Sequence, residues 1–193
     1  MAEHKHLRRL GRIWIPGAVY FMTVCTHGRK PILASPIAAG ILLREWQAAK
    51  TRHGWLVGRY VVMPDHVHFF CAEQAEGAKR TLSQFMNKWK EWTSKGLIAP
   101  TTISAPVWQR GFFDHLMRSD ESYGEKWSYV RENPVRAGLA SSWETWPWQG
   151  FVDFDFPGAD RKPGQPPRPT GAATTSPSTP KNPPQRPSAF SGD

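Results

Sequence analysis

The chain has 193 residues, of which 39% are hydrophobic and ten are tryptophan, so it is long enough to bury the core of one domain. Its formal net charge of +9 favours a polyanionic partner such as nucleic acid, although a soluble basic protein would have the same composition. The sequence predicts neither a membrane span nor a signal peptide, because no stretch approaches eighteen apolar residues and residues 1–12 lack an apolar segment.

The first predicted strand covers residues 18–26, which are rich in β-branched and aromatic side chains. Ser35 and Pro36 then supply an N-cap and a first-turn proline for a helix that runs to about Lys50. Gly54 follows as a stop. Residues 56–62 and 66–72 form two further predicted strands. The proline and the acid that separate these strands favour a tight turn, so the two strands form a hairpin.

A second helix is predicted over residues 77–95, with Gly96 as its stop. Its apolar side chains recur at spacings of three and four and are expected to lie in the core: Leu82, Phe85, Met86, Trp89 and Trp92. A strand within 108–116 and a helix from Ser119 to Asn133 complete the pattern. This order predicts an α+β fold in which helices pack on one antiparallel sheet, as in a ferredoxin-like or split βαβ unit.

The composition changes at residue 157, after which prolines are frequent among Gly, Ser and Thr. This stretch has a single aromatic residue, Phe190, so ordering it would cost backbone entropy without hydrophobic gain. We therefore predict one domain over residues 1–156 and a Pro-rich disordered tail over 157–193. Cys25 and Cys71 lie in apolar strand-like runs without metal-ligand spacing, which indicates buried reduced thiols and a cytosolic protein.

His66 and His68 are two residues apart on a predicted strand, so both imidazoles face one side of the sheet while Val67 faces the other. This geometry suits a divalent cation. Alone it is a weak motif, since pairs of ordinary strand histidines are common.

Tyr129 and Asn133 lie one helical turn apart on the flank of the last predicted helix. An amide oxygen can complete a metal site, and a phenolate can attack a phosphate that the metal polarises. The alternative is a half-buried tyrosine and an ordinary helix-terminal asparagine. Tyr123 is the competing nucleophile, but it continues the apolar stripe of the helix.

Together these residues resemble the REP-associated tyrosine transposases, relatives of the single-strand insertion-sequence transposases in the wider group of nucleases with a His-hydrophobic-His motif. The resemblance covers nearly all of the first 150 positions. The matching stretches are 16–21, 62–68 and 108–139. The last stretch carries the most specific combination of residues, because it joins a Trp-Gln-Arg-Gly-Phe-Phe-Asp-His run to Tyr129 and to the residues that follow Asn133.

The resemblance implies an enzyme that binds Mg²⁺ or Mn²⁺ and attacks a DNA phosphodiester with tyrosine, leaving a 5′-phosphotyrosine link and a free 3′-OH. In that family pattern His66 and His68 match the metal-binding histidines, and Tyr129 matches the nucleophile. Asn133 falls where related transposases usually have a glutamine ligand. The implied substrate is a single-stranded DNA hairpin of a repetitive extragenic palindromic (REP) element. The implied protein is monomeric and acts in the bacterial cytoplasm at the nucleoid.

Basic residues of the chain are candidates for phosphate contacts, although most such residues in any protein are ordinary solvated charges. The main candidates are Arg8, Arg9, Arg12, Arg110, Arg118, Arg131 and Arg136. Two other functions fit the sequence: a catalytically silent, domesticated hairpin-DNA-binding protein, and a metal-dependent phosphodiesterase that uses water. A covalent protein–DNA complex would distinguish the transposase from both.

Overall fold

The computed structural model describes residues 18–117 and 120–155. The strands are β1 (Val19–Cys25), β2 (Trp55–Met63), β3 (His66–Glu73), β4 (Phe113–Met117) and β5 (Gln149–Phe151). The helices are α1 (Pro36–Gln47), α2 (Ala49–His53), α3 (Leu82–Ile98), α4 (Asp120–Arg131) and α5 (Asn133–Arg136). Two short 3₁₀ helices, His27–Arg29 and Trp143–Thr145, lie in loops.

The five strands form one antiparallel sheet in the order β4-β1-β3-β2-β5. The first four strands, with α1 and α3 as the two crossovers, give the βαββαβ order of a ferredoxin-like domain. This confirms the predicted α+β class and the predicted hairpin. Strand β5 at the edge was not predicted, because three residues are too few to show a periodic pattern.

Helices cover both faces of the sheet. On one face Trp46 of α1 and Trp89 of α3 pack on Phe69, with ring centroids 5.3 and 5.8 Å from the Phe69 ring. On the other face α4 inserts Tyr123 and Trp127 into a second apolar cluster that includes Phe21 and Phe70. We call this second side the histidine face, because His66 and His68 alternate with residues of the first cluster and lie on it.

Both predicted ends of the second helix are wrong. Helix α3 begins at Leu82, because Thr81 forms a capping box with Gln84: each side chain bonds the other residue's backbone N–H. Gly96 does not end this helix, which continues to Ile98. A Cβ atom at Gly96 would lie 2.8 Å from Ile41 Cγ2, so this glycine allows α1 and α3 to approach closely.

Trp92 was predicted to lie in the core, and this is wrong: its side chain is 45% exposed and lies beneath the Arg52 and Lys95 cations. The predicted strand over 108–116 begins only at Phe113, since Trp108 makes an isolated bridge with Thr26 and the chain then turns. Cys71 is buried as expected, whereas Cys25 is only partly buried. In the part of the chain that the structure describes, no helix is both long and apolar enough to cross a membrane.

Candidate active site

His66 and His68 lie side by side at the start of β3, on the histidine face. They pair with Cys25 and Thr23 of β1, and their ring centroids are 4.7 Å apart with the ring planes nearly perpendicular. The strand alternation that predicted a shared face is therefore present. Phe21 lies beside them, with its ring stacked 5.4 Å from that of His68.

Each imidazole is held through its Nδ1 atom. His66 Nδ1 lies 2.6 Å from Asp65 Oδ1, and His68 Nδ1 lies 2.8 Å from Thr23 Oγ1. The Asp65 carboxylate can only accept, so it binds an Nδ1–H and leaves Nε2 of a neutral His66 ring with a lone pair. The Thr23 hydroxyl can donate or accept, so this contact orients the His68 ring without fixing its tautomer.

Both histidines are held in the neutral form. Burial, together with the nearby His66, Lys126, Arg29 and Arg136, lowers the pKa of His68 to about 3. Burial also lowers the pKa of His66, although the hydrogen bond and the charge of Asp65 partly oppose that shift. Neutral imidazole is the form that ligates a metal, so no proton has to be displaced from either ring at neutral pH.

Tyr129 is 63% exposed on α4, the helix that covers the histidine face. Its ring carries the Arg136 guanidinium 4.1 Å from its centroid, and Arg136 Nη2 also donates to the Tyr129 carbonyl oxygen at 2.6 Å. The phenol lines a cleft of about 290 Å³ together with His115, Met117, Glu125 and Lys126.

Lys126 connects the tyrosine helix to the histidine pair. Its Nζ atom lies 5.1 Å from the centroid of the Phe21 ring, which itself stacks on His68. Tyr129 is three residues farther along the same helix, so it lies on the adjacent turn. The predicted nucleophile and the predicted metal ligands therefore belong to one side of the sheet. Lys126 was not predicted from the sequence, although its spacing from Tyr129 was a usable signal.

Tyr123 has a different environment, because its side chain is 1% exposed and its ring centroid lies 4.2 Å from that of Phe70. A phosphodiester has no access to this phenol while α4 stays packed on the sheet. The apolar stripe that assigned Tyr123 to the core is thus observed.

Asn133 does not share a continuous helix with Tyr129. Helix α4 ends at Arg131, and Asn133 begins the separate short helix α5. Pro134 follows it and has no N–H for the carbonyl of Val130, so the longer helix cannot continue regularly. The Asn133 Oδ1 atom accepts a hydrogen bond from Arg136 Nη2. The amide oxygen expected to bind a metal therefore already has a cationic partner.

The donor set for a metal is small. Within residues 18–117 and 120–155, no cluster of three or more His, Cys, Asp and Glu side chains is arranged to hold an ion. The Nε2 atoms of two neutral imidazoles fit a divalent cation that takes its other ligands from substrate oxygens and water. The histidine pair thus fits an open metal site and not a closed structural one.

The arginines predicted to contact phosphate differ in their exposure to solvent. Arg110 and Arg136 are exposed. Arg131 is only 4% exposed, with its guanidinium 4.5 Å from the centroid of the Trp143 ring. Its Nε atom also lies 4.0 Å from Glu132 Oε1, so this buried guanidinium is not part of an exposed DNA surface. Arg8, Arg9, Arg12 and Arg118, like the predicted tail, lie outside the described residues.

Comparison with known proteins agrees with the family resemblance of the sequence motifs. No family model matches the chain. The chain is 25% identical over 140 residues to a REP-associated tyrosine transposase of Escherichia coli K12, which covers 72% of this chain and 80% of that protein. A Haemophilus influenzae protein with the same family name is 36% identical over 45 residues, 23% of this chain and 26% of the relative.

A solved structure of a REP-associated tyrosine transposase bound to a REP hairpin has a similar fold. It aligns with a TM-score of 0.60 and 21% sequence identity over 77% of this chain and 82% of that chain. At that level of identity the alignment shows a similar fold.

Proposed function

Because this chain is a relative of the REP-associated tyrosine transposases, we propose that it is a metal-dependent endonuclease and strand transferase that acts on single-stranded DNA. The observation that carries the proposal is the placement of an exposed tyrosine on the helix that packs on the same face of the sheet as the histidine pair. The substrate is a hairpin of the REP type, as in the similar solved structure.

In the proposed cleavage step the Tyr129 phenol loses its proton and its oxygen attacks the phosphorus. The bond between phosphorus and the 3′ oxygen breaks, the 3′ oxygen takes up a proton, and the phosphate stays attached to Tyr129 as a 5′-phosphotyrosine. Joining is the reverse reaction with another 3′-OH. The step conserves one phosphodiester bond, so it needs no external energy source.

His66 and His68 would hold Mg²⁺ or Mn²⁺, with Asn133 as a third candidate if Arg136 releases its amide oxygen. When bound, the ion supplies polarisation of the scissile phosphate and stabilisation of the leaving oxygen. The role of the two histidines is to bind through lone pairs on neutral rings. Thr23 and Asp65 hold those rings in orientation.

Cations beside Tyr129 bind the DNA backbone in this proposal. The Arg136 guanidinium lies over the phenol ring, and the Lys126 ammonium lies over Phe21, whose ring stacks on His68. Both are suited to a phosphate oxygen placed between the nucleophile and the histidine pair. Phe113 is 57% exposed at the start of β4 on the same face, so it offers a ring on which an unpaired base can stack. Arg110 lies close by in sequence and is exposed.

Cleavage of labelled REP-type hairpins in the presence of Mn²⁺ tests the metal site. His66→Ala or His68→Ala should abolish cleavage and leave hairpin affinity within about tenfold, or about 1.4 kcal/mol, because the variants lose polarisation but few phosphate contacts. The matched control is His27→Ala, an exposed histidine in the loop after β1, which should cleave normally. Full activity in either site variant, or activity unaffected by EDTA, would exclude the site.

One observation favours a second function, a catalytically silent hairpin-binding protein. The Asn133 amide oxygen is bound by Arg136, so the third predicted ligand is engaged within the protein. Such a protein would bind the same hairpins with the same salt dependence, but it would form no covalent complex on a denaturing gel.

A further inference from the structure

Arg29, Asp65 and His66 form a hydrogen-bonded chain behind the histidine pair. The Asp65 carboxylate places Oδ2 2.8 Å from Arg29 Nε and Oδ1 2.6 Å from His66 Nδ1. Arg29 is fixed at a second point, since its Nη1 atom lies 2.7 Å from Cys25 Sγ. Each carboxylate oxygen therefore has its own donor.

The backbone at Arg29 adopts an uncommon conformation to make this contact. Its φ is 57°, in the left-handed region that residues with a Cβ atom rarely adopt, and it follows Gly28 at φ 64°. Three contacts hold that turn in place. The Arg29 side chain binds Asp65 and Cys25, and its backbone N–H donates to the Thr26 carbonyl.

We infer that the Arg29–Asp65 pair is a positioning device that sets the tautomer of His66, so that Nδ1 carries the proton and Nε2 presents its lone pair to a divalent cation. Asp65 supplies the acceptor that makes Nδ1–H the favoured form. Arg29 keeps the carboxylate turned so that Oδ1 faces the imidazole. The inference rests on the proposed metal-binding role of His66.

Hydrogen-bond chemistry makes one substitution diagnostic. In Asp65→Asn the side chain has one acceptor and one donor end, and Arg29 Nε–H requires the acceptor. The amide oxygen then faces Arg29, and the amide NH₂ faces His66 Nδ1. That nitrogen must accept, so the ring proton moves to Nε2 and blocks the metal position. Removing Arg29 as well lets the amide rotate, so that its oxygen again accepts from Nδ1–H.

Four full-length proteins test the inference: the unmodified protein, Asp65→Asn, Arg29→Met and the double variant. The tautomer of His66 is measured without metal by nitrogen-15 NMR of the imidazole, which distinguishes a protonated nitrogen from a bare one. We expect Nδ1–H in the unmodified protein and in Arg29→Met, Nε2–H in Asp65→Asn, and a return to Nδ1–H in the double variant. A structural role alone would not produce this reversal.

Mn²⁺ affinity, measured by calorimetry without DNA, gives the second readout. Asp65→Asn should weaken binding by about 10–100-fold, the usual cost of losing a partner that orients a ligand. The double variant should bind more tightly than Asp65→Asn. If Asp65→Asn keeps Nδ1–H, or if the double variant binds no better than Asp65→Asn, the inference is overturned. If the unmodified protein binds no Mn²⁺, the metal part of the proposed function fails, and the tautomers alone decide the role of Asp65 and Arg29.

Discussion

Lys90 is a buried cation that supports the segment leading into β4, and its removal gives a quantitative test of the structure. Its side chain on α3 is 9% exposed, and Nζ donates to the carbonyl oxygens of Gln109, Arg110 and Gly111 at 2.8, 3.3 and 2.6 Å. Burial lowers the pKa of Lys90 to about 8, so the amine still carries its proton at pH 7 and can serve all three carbonyls.

Lys90→Met keeps the length of the side chain and removes the donors. Counting only the two bonds shorter than 3 Å, at about 1.5 kcal/mol each for a charged donor, gives a loss of about 3 kcal/mol in the free energy of unfolding. For a domain of this size that corresponds to a fall in Tm of about 6–12 °C. Urea denaturation at pH 7, followed by tryptophan fluorescence, measures the change.

The matched control is Lys95→Met on the same helix. Lys95 is exposed and pairs with Glu91 at 2.7 Å, a surface contact worth about 0–1 kcal/mol. If Lys90→Met is no more destabilising than Lys95→Met, the three carbonyl contacts do not stabilise the fold and this account of the segment is wrong.

Three further changes have defined outcomes. Trp127→Ala should cost about 3–5 kcal/mol, because that indole is buried beneath α4, whereas Trp92→Ala should cost far less; equal losses would contradict the packing of α4. Burial, followed by the charge of Arg80, lowers the pKa of His53, so the unfolded chain binds a proton below about pH 6.5 before the folded protein does. Stability therefore falls as the pH drops through that range, and His53→Gln should lose less stability than the unmodified protein between pH 7.5 and 5.5 in urea titrations; an unchanged pH slope would contradict this. Deleting residues 157–193 should leave Tm unchanged, because their composition lacks apolar side chains for docking, and a large loss would move the predicted domain boundary.

The sequence predicted the parts of the fold that depend on periodicity. Alternation in the stretch around His66 and His68 placed both imidazoles on one face and Val67 on the other, as the strand pairing shows. The order of strands and helices then predicted a ferredoxin-like sheet, because short connections leave few ways to arrange these elements.

Features that depend on tertiary contacts were not predictable. Gly96 lies within a helix, and its missing side chain leaves room for Ile41 of α1. From the sequence alone, a glycine at that position predicts a helix end. The apolar stripe of α3 included Trp92, but that ring is 45% exposed and lies beside Arg52. Periodicity also gives no information on which face of the sheet α4 covers.

Polar partners at the site were equally hidden from the sequence. Tyr129 and Asn133 have the spacing of helix neighbours, yet helix α4 ends between them. Arg136 donates hydrogen bonds to both residues. Asp65 has the composition of a turn residue, and its two hydrogen bonds to Arg29 and His66 appear only when the loop after β1 folds against the hairpin. The Arg29–Asp65 pair joins segments distant in sequence, so it depends on the folded structure.

The identity of the nucleophile is the central claim, and mapping the covalent adduct tests it most directly. A REP-type hairpin is incubated with the protein and Mn²⁺, the complex is digested, and the peptide that carries the nucleotide is identified by mass spectrometry. The proposal predicts attachment to Tyr129, loss of the adduct in Tyr129→Phe with DNA binding retained, and a persistent adduct in Tyr123→Phe. An adduct on Tyr123, or an unchanged adduct yield in Tyr129→Phe, would contradict it.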